Sequence, residues 1–126
     1  MSRLFVAGVF VILAAALSSF SPGTNHSLMN ASSGPIVLDI SSSRDKPITH
    51  FRLVPGYSVG FDGTFLHLRV RMASGKTLSL SQSQLTQLHG GTVPEHGAWL
   101  VEDSGVRSVS RRDYNLAYRH FHKLWP

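Results

Sequence analysis

Hydrophobic and polar residues alternate along five short stretches of the chain, a period typical of β-strands with one buried face. The stretches cover residues 36–40, 48–54, 57–61, 65–73 and 77–81. The turn signals between the later stretches are Pro55-Gly56, Asp62-Gly63 and Ser74-Gly75. Because parallel neighbours need a long crossover, connections this short predict an antiparallel meander.

The fourth of these predicted strands has one apolar face and one largely cationic face. Its apolar positions are Leu66, Leu68, Val70 and Met72, and its alternate positions are Phe65, His67, Arg69 and Arg71. Successive side chains of a strand point to opposite sides of a sheet. We therefore expect His67, Arg69 and Arg71 to share a polar face and to contribute to anion binding that weakens with salt.

Helix signals follow the strands. Ser81 and Gln84 have capping-box spacing ahead of Leu85 and a Gly90-Gly91 stop, so a short helix is predicted there. Residues 98–101 and 106–110 flank a Glu-Asp-Ser-Gly turn and predict a second hairpin. Ser110 and Asp113 repeat the capping-box spacing, and the chain then continues to Trp125 without Gly or Pro, which predicts a C-terminal helix.

The C-terminal helix is predicted to be amphipathic. At 100° per residue its apolar side falls within an arc of roughly 120°. That side consists of Tyr114, Ala117, Tyr118, Phe121, Leu124 and Trp125, with Arg112, Arg119 and Lys123 opposite. We expect the aromatic stripe to pack on the sheet as core, the alternative being a free helix that binds a membrane or a partner. The predicted fold class is α+β, with one antiparallel sheet of five to seven short strands, a short mid-chain helix and this helix on one face.

The N-terminal residues have the pattern of an export signal. An unbroken apolar run covers residues 4–17, Arg3 precedes it, and Ser, Pro and Gly follow it. We expect residues 1–18 to be a signal peptide, with the mature chain beginning between Ser18 and Gly23. The alternative is an uncleaved anchor over residues 4–20. In both cases the position of Arg3 predicts that the rest of the chain is extracytoplasmic, secreted or periplasmic.

Residues 19–34 are rich in Ser, Gly, Asn and Thr and poor in large apolar residues, which predicts a flexible tether. Asn25 and Asn30 each begin an N-glycosylation sequon, a match that chance also produces in a Ser-rich stretch. Residues 35–126 then form the single small α+β domain. That length supports one modest core.

Charge and composition narrow the function classes. The 126 residues include 12 Lys or Arg and 7 Asp or Glu, a formal net charge of +5, and no cysteine. Disulfides, thiolate nucleophiles and Cys-ligated metals are thereby excluded. Between Val106 and Pro126 the cations are Arg107, Arg111, Arg112, Arg119 and Lys123, against the single acid Asp113. Arg111, Arg112, Arg119 and Lys123 are candidate anion-binding residues. The alternative is that Asp113, Glu102 and Asp103 pair with Arg111 and Arg112 and leave a solvated face.

The seven histidines of the sequence supply candidate metal ligands and candidate catalytic groups. His89, Glu95 and His96 lie on one Gly-rich segment and are candidate metal ligands, although their spacing matches no zinc-binding helix. His89 also suits the last turn of the short helix, where a partly charged imidazole meets the negative end of the helix dipole. His50 and His67 beside Lys76, Arg69 and Arg71 supply the ingredients for phosphodiester cleavage by general acid–base catalysis. No cofactor is predicted.

The sequence therefore predicts a small, basic, exported binding module without catalytic activity, whose cationic surface meets an anionic partner. The partner would be a lipid headgroup, a polysaccharide or an acidic protein. The alternative is a secreted phosphodiesterase or ribonuclease that uses histidine general acid–base chemistry, and only this alternative involves a nucleic acid.

Overall fold

A computed structural model describes residues 25–124, which form eight strands and two helices. The strands are β1 (Asn25–Asn30), β2 (Ile36–Ser42), β3 (Ile48–Leu53), β4 (Ser58–Asp62), β5 (Phe65–Arg71), β6 (Thr77–Ser81), β7 (Gly97–Glu102) and β8 (Gly105–Val109). The helices are α1 (Gln82–Leu88), between β6 and β7, and α2 (Arg111–Leu124), after β8. The predicted signal segment, residues 1–18, lies outside the described residues.

The strands form two four-stranded sheets, so the prediction of an α+β fold is confirmed but the single sheet is wrong. Sheet A has the order β4-β1-β7-β8 and sheet B the order β3-β2-β5-β6. All neighbours are antiparallel except β1 and β7. The turns at Pro55-Gly56 and Asp62-Gly63 carry the chain from sheet B to sheet A and back, so they do not close hairpins. A short turn satisfies the backbone equally well in either arrangement, which is why turn length alone does not separate a meander from a sandwich.

The tether predicted for residues 19–34 does not extend over residues 25–34, because residues 25–30 form β1 between β4 and β7. Both faces of β1 are covered. Leu28 belongs to the core between the sheets, whereas Met29 faces α2 on the other side of sheet A. Composition concealed this strand because its polar side chains are buried with hydrogen-bond partners rather than exposed. The folded unit therefore includes Asn25.

The main core lies between the two sheets. Trp99 and Phe65 are its largest fully buried side chains, and their rings meet edge to face with centroids 5.1 Å apart. Leu85 of α1 completes this core and has no exposed surface. The predicted capping box of α1 is confirmed: the Gln84 N–H donates to Ser81 Oγ at 3.3 Å, and the Ser81 N–H donates to Gln84 Oε1 at 2.9 Å.

Helix α2 packs on the outer face of sheet A and contributes side chains to a buried cluster there. Tyr114 is buried there against Met29, Ala98 and Leu100, and Phe121 packs on the same cluster. The Asp113 N–H donates to Ser110 Oγ at 3.0 Å, so Ser110 caps the helix as its spacing predicted. Trp125 lies outside the described residues. The layers are therefore α2, sheet A and sheet B, and within residues 25–124 no helix packs on the outer face of sheet B.

Because of a bulge in β5, the first two residues of this strand face the opposite sides from those predicted. Ser41 pairs with His67 and Ser42 pairs with Phe65, so Leu66 is the extra residue on β5. Phe65 consequently points into the core and is fully buried, whereas Leu66 is exposed. The alternation predicted for Leu68, Val70, Arg69 and Arg71 is observed beyond this point.

Candidate functional site

The seven predicted anion-binding residues occupy two opposite surfaces of the molecule. His67, Arg69 and Arg71 lie on the outer face of sheet B. The other four lie on α2, which covers the outer face of sheet A. Two layer spacings of about 10 Å each separate α2 from sheet B. The predicted set is therefore two surfaces, and no single small ligand can touch both.

The sheet B face is the outer surface formed by alternate residues of β2, β3, β5 and β6. One row across it consists of Arg52, Val37, Arg71 and Thr77, and the next consists of Asp39, Arg69 and Ser79. Arg69 and Arg71 are two residues apart on one strand, about 7 Å, and Arg52 lies two strand spacings from Arg71, about 10 Å. Three arginines thus form a triangle on an uncovered sheet surface.

Arg52 was missed by the sequence analysis. It lies in a stretch correctly predicted as a strand, but its face depends on a second bulge, where the pairing between β2 and β3 shifts after Leu38–Phe51. His50 sits in this irregular region with a φ of 52°. The alternation of Arg52 with the buried Leu53 was the available signal for an outward arginine.

The arginines of the sheet B face are not neutralised by acids. The ion pairs found within residues 25–124 are Arg44 with Asp62 at 3.9 Å and Arg107 with Glu102 at 2.7 Å. The acid of this face is Asp39, and its Oδ1 accepts a hydrogen bond from the backbone N–H of His50 at 2.9 Å. That bond occupies one oxygen of the carboxylate, so among residues 25–124 three exposed guanidinium groups share the single carboxylate of this face.

Hydroxyl groups line the other half of the sheet B face. Thr77, Ser79 and Ser81 alternate along β6 and are exposed, and Ser79 Oγ lies 3.1 Å from His67 Nε2. Two depressions of the described surface lie away from this face. One of about 250 Å³ is lined by residues that include Ser32 and Asp103, and one of about 150 Å³ is lined by residues that include Arg44 and Glu95. The sheet B face itself presents cationic and hydroxyl groups side by side.

The acids near α2 do not pair with its arginines. Glu102 is bonded to Arg107 through both carboxylate oxygens, at 2.7 and 3.0 Å, and Asp103 accepts from the N–H and hydroxyl of Ser33. The guanidinium carbon of Arg111 lies 5.2 Å from the centre of the Tyr114 ring, a cation–π distance. The predicted neutralisation of Arg111 and Arg112 by these acids is therefore not observed in the described part of the chain.

The candidate metal ligands do not assemble. Among residues 25–124 no three His, Asp or Glu side chains are placed to hold a metal ion. His89 follows the last residue of α1, close to where its spacing placed it, and its Nδ1 lies 3.0 Å from Ser108 Oγ. Its ring stacks on Trp99 with centroids 5.5 Å apart. Glu95 instead lines the depression beside Arg44.

The ribonuclease ingredients are also spread apart. His50 belongs to β3 and His67 to β5, with β2 between these strands. Two strand spacings of about 4.8 Å therefore separate their backbones, and His67 is bonded to Ser79 on the far side from His50. No observation favours a shared acid–base site.

A buried histidine was missed altogether. His26 of β1 has no exposed surface, and its Nδ1 accepts a hydrogen bond from Trp99 Nε1 at 3.1 Å. Its Nε2–H donates to the Gly63 carbonyl at 3.0 Å, and its ring stacks on Phe61. Burial, assisted by the nearby His96 and His89, lowers the pKa of His26 to about 4. It was missed because it falls in the stretch read as a tether.

Comparison of the chain with protein-family models, with curated proteins and with solved structures finds no match. Across the described residues, neither helix combines the length and the apolar character needed to cross a bilayer. Function is therefore inferred from the two cationic surfaces.

Proposed function

We propose that this chain is an exported, non-catalytic binding module whose sheet B face holds an acidic polysaccharide. The observation that carries the proposal is the group of three exposed arginines, Arg52, Arg69 and Arg71, which have neither a salt bridge nor a covering helix within residues 25–124. Export is supported by the apolar run that follows Arg3 in the sequence.

A polymer is favoured over a small anion by the shape of the sheet B face. Small ligands are usually enclosed in a cleft that removes most of their surface from water. Here the cations are spread over about 10 Å of a sheet surface, so a single phosphate or carboxylate bound to them stays largely in contact with water. A chain with repeated acidic groups engages several at once, and each further contact is intramolecular.

A polysaccharide is favoured among anionic polymers by the hydroxyls beside the arginines. Thr77, Ser79 and Ser81 can each donate to and accept from sugar hydroxyl groups. The apolar member of the rows through the arginines is Val37, which is half-buried. A surface of this composition offers hydrogen bonds and charge but little apolar area, so it suits a hydrated polymer better than the interior of a bilayer.

The test is calorimetric titration with alginate, an acidic polysaccharide, and with neutral dextran. We expect binding to alginate alone, and weaker binding at high salt, because the Debye length falls from about 10 Å at 0.1 M to about 3 Å at 1 M ionic strength. The double variant Arg69→Ala, Arg71→Ala should bind about tenfold more weakly, since two exposed ion pairs contribute up to about 1 kcal/mol each.

The matched control is the double variant Arg112→Ala, Arg119→Ala, which removes the same charge from α2. It should keep the wild-type affinity for alginate. Equal affinity in the Arg69→Ala, Arg71→Ala variant overturns the proposal. Tighter binding of anionic vesicles than of alginate through the same arginines would reassign the face to a lipid, and RNA turnover lost in His67→Ala would support the phosphodiesterase alternative.

A further inference from the structure

The outward side of α2 carries a second group of unpaired cations. At 100° per residue, Arg112, Arg119 and Lys123 fall within an arc of about 40°, opposite the buried Tyr114 and Phe121. All three are exposed and form none of the ion pairs found in the described part of the chain. From this surface we infer that α2 docks the protein flat on an anionic lipid bilayer.

The charge of the α2 surface indicates that the bilayer it binds is anionic. The acid of α2 is Asp113, which lies about 100° around the helix from Arg112. Within residues 25–124 it forms no ion pair with Arg112, Arg119 or Lys123. The charged residues on the outward surface of α2 are therefore cations, and an anionic headgroup layer attracts each of them.

Exposed apolar and aromatic side chains accompany the cations of the α2 surface. Leu116 lies among the three cations and is 49% exposed. On the flank of the helix, Tyr118 is 40% and Tyr57 52% exposed, and both rings lie beside His122, with centroids 4.0 and 6.4 Å away. Tyrosines with a polar tip and an apolar ring are typical of the membrane–water interface.

The mode of docking follows from how α2 is held. His122 Nε2–H donates to the Gly56 carbonyl at 3.1 Å. Gly56 has a φ of +85°, and a Cβ added there would lie 3.0 Å from Phe121 Cβ. Tyr114 and Phe121 are thus committed to the core, and the helix cannot roll to insert them. The bilayer is bound by the cations, with Leu116 entering the headgroup region only.

The arrangement of layers gives the docking an orientation. Because α2 and the sheet B face are on opposite sides of the molecule, a bilayer under α2 leaves Arg52, Arg69 and Arg71 pointing away from it. The α2 surface is independent of the polysaccharide proposal, and each survives the failure of the other.

The first test is co-sedimentation with two kinds of vesicle. One contains phosphatidylcholine alone, and the other contains phosphatidylcholine with roughly 30% phosphatidylglycerol, which makes the membrane anionic. We expect binding to the anionic vesicles only. Removing two cations in Arg112→Ala, Arg119→Ala should weaken it about 25-fold, since each cation near the surface contributes about fivefold. Alanine is the best helix former, so α2 is retained in this variant.

The matched control is Arg69→Ala, Arg71→Ala, which should bind the same vesicles as the wild-type chain does. Equal weakening in both double variants would show that net charge alone drives binding and would overturn the inference. Loss in the sheet variant only would do the same and would move the lipid to the sheet B face.

The second test uses the absence of cysteine in the sequence. A single Leu116→Cys variant, labelled with an environment-sensitive fluorophore, should show a blue-shifted emission on anionic vesicles as the label leaves water. The same label at Ser79→Cys on the sheet B face should not shift. An unchanged emission at position 116 when the protein is fully vesicle-bound, or an equal shift at both positions, overturns the proposed orientation.

Discussion

Trp99 donates its indole N–H to Nδ1 of His26 across 3.1 Å, and this bond sets the protonation state of a fully buried histidine. An indole nitrogen can only donate, so Nδ1 must accept. The Gly63 carbonyl can only accept, so Nε2 carries the proton. The pair therefore requires the neutral Nε2–H tautomer, and a second proton has no place without breaking the Trp99 bond.

The first prediction is that the free energy of unfolding falls as the pH is lowered from about 6.5 to about 4. Burial lowers the pKa of His26 to about 4 in the folded chain from 6.5 in the unfolded chain. The unfolded state therefore binds more protons in this range, and stability falls as pH falls. The full loss from this group is about 3 kcal/mol. Urea unfolding at a series of pH values measures it.

The matched control is His26→Gln, which removes the titrating ring and should lose the fall in stability between pH 6.5 and about 4. An NMR titration in which the His26 ring protonates near pH 6.5 would contradict the prediction, since it would show no stabilisation of the neutral form.

The second prediction concerns Asn30, whose amide connects the two sheets. Its Nδ2 donates to the carbonyls of Gly34 at 2.9 Å and Leu53 at 2.8 Å, and its Oδ1 accepts from the Ser32 N–H at 2.9 Å. Asn30→Ala removes these hydrogen bonds from a buried site and should destabilise the fold by about 3 kcal/mol. Thermal unfolding measures the effect.

The burial of Asn30 also bears on glycosylation at the sequon that begins with this residue. Its amide is fully buried and bonded, so the folded chain cannot accept a glycan at this position. Asn25 is only half-buried, and Asn25→Gln should change stability far less than Asn30→Ala. A similar melting temperature for the two variants would contradict the role of Asn30 as a clamp between the sheets.

The third prediction is that Phe121→Ala destabilises the fold by about 2 kcal/mol. Phe121 is half-buried against the cluster of Met29, Ala98 and Leu100, so its truncation costs less than that of a fully buried ring. For a domain of this size the melting temperature should fall by about 10 °C. Leu116→Ala, on the exposed side of the same helix, should change stability by less than about 0.5 kcal/mol. Equal melting temperatures for the two variants would contradict the core position of Phe121.

The fourth prediction is that Tyr114→Phe leaves stability unchanged or raises it slightly. The Tyr114 hydroxyl is buried, and within residues 25–124 no group bonds it in good geometry, although Ser58 and Ser27 lie close enough to act on it. Burial raises the pKa of Tyr114 to about 12. Removing an unsatisfied hydroxyl removes its desolvation cost. A loss of more than about 1 kcal/mol in chemical denaturation would show that a serine bonds this hydroxyl after all.

Local signals in the sequence determined most of the elements. The capping box at Ser81, the N-cap at Ser110, the hairpins β5–β6 and β7–β8, and the spacing of Tyr114, Ala117 and Phe121 along α2 all depend on residues within a few positions of one another. For the same reason the pairing of Arg69 with Arg71 on one face was predictable, because alternation along a single strand needs no knowledge of its partner.

Only the tertiary structure decided which polar residues are inside and which cations belong together. His26 and Trp99 are 73 positions apart, and nothing near either of them in sequence indicates that one satisfies the other. The bulges at His50 and Leu66 change the facing of Arg52 and Phe65, and they exist only in relation to the neighbouring strand. The division of the seven predicted anion-binding residues between α2 and sheet B likewise depends on the stacking of two sheets. Stacking is a property of buried faces meeting across space, and a linear pattern does not contain it.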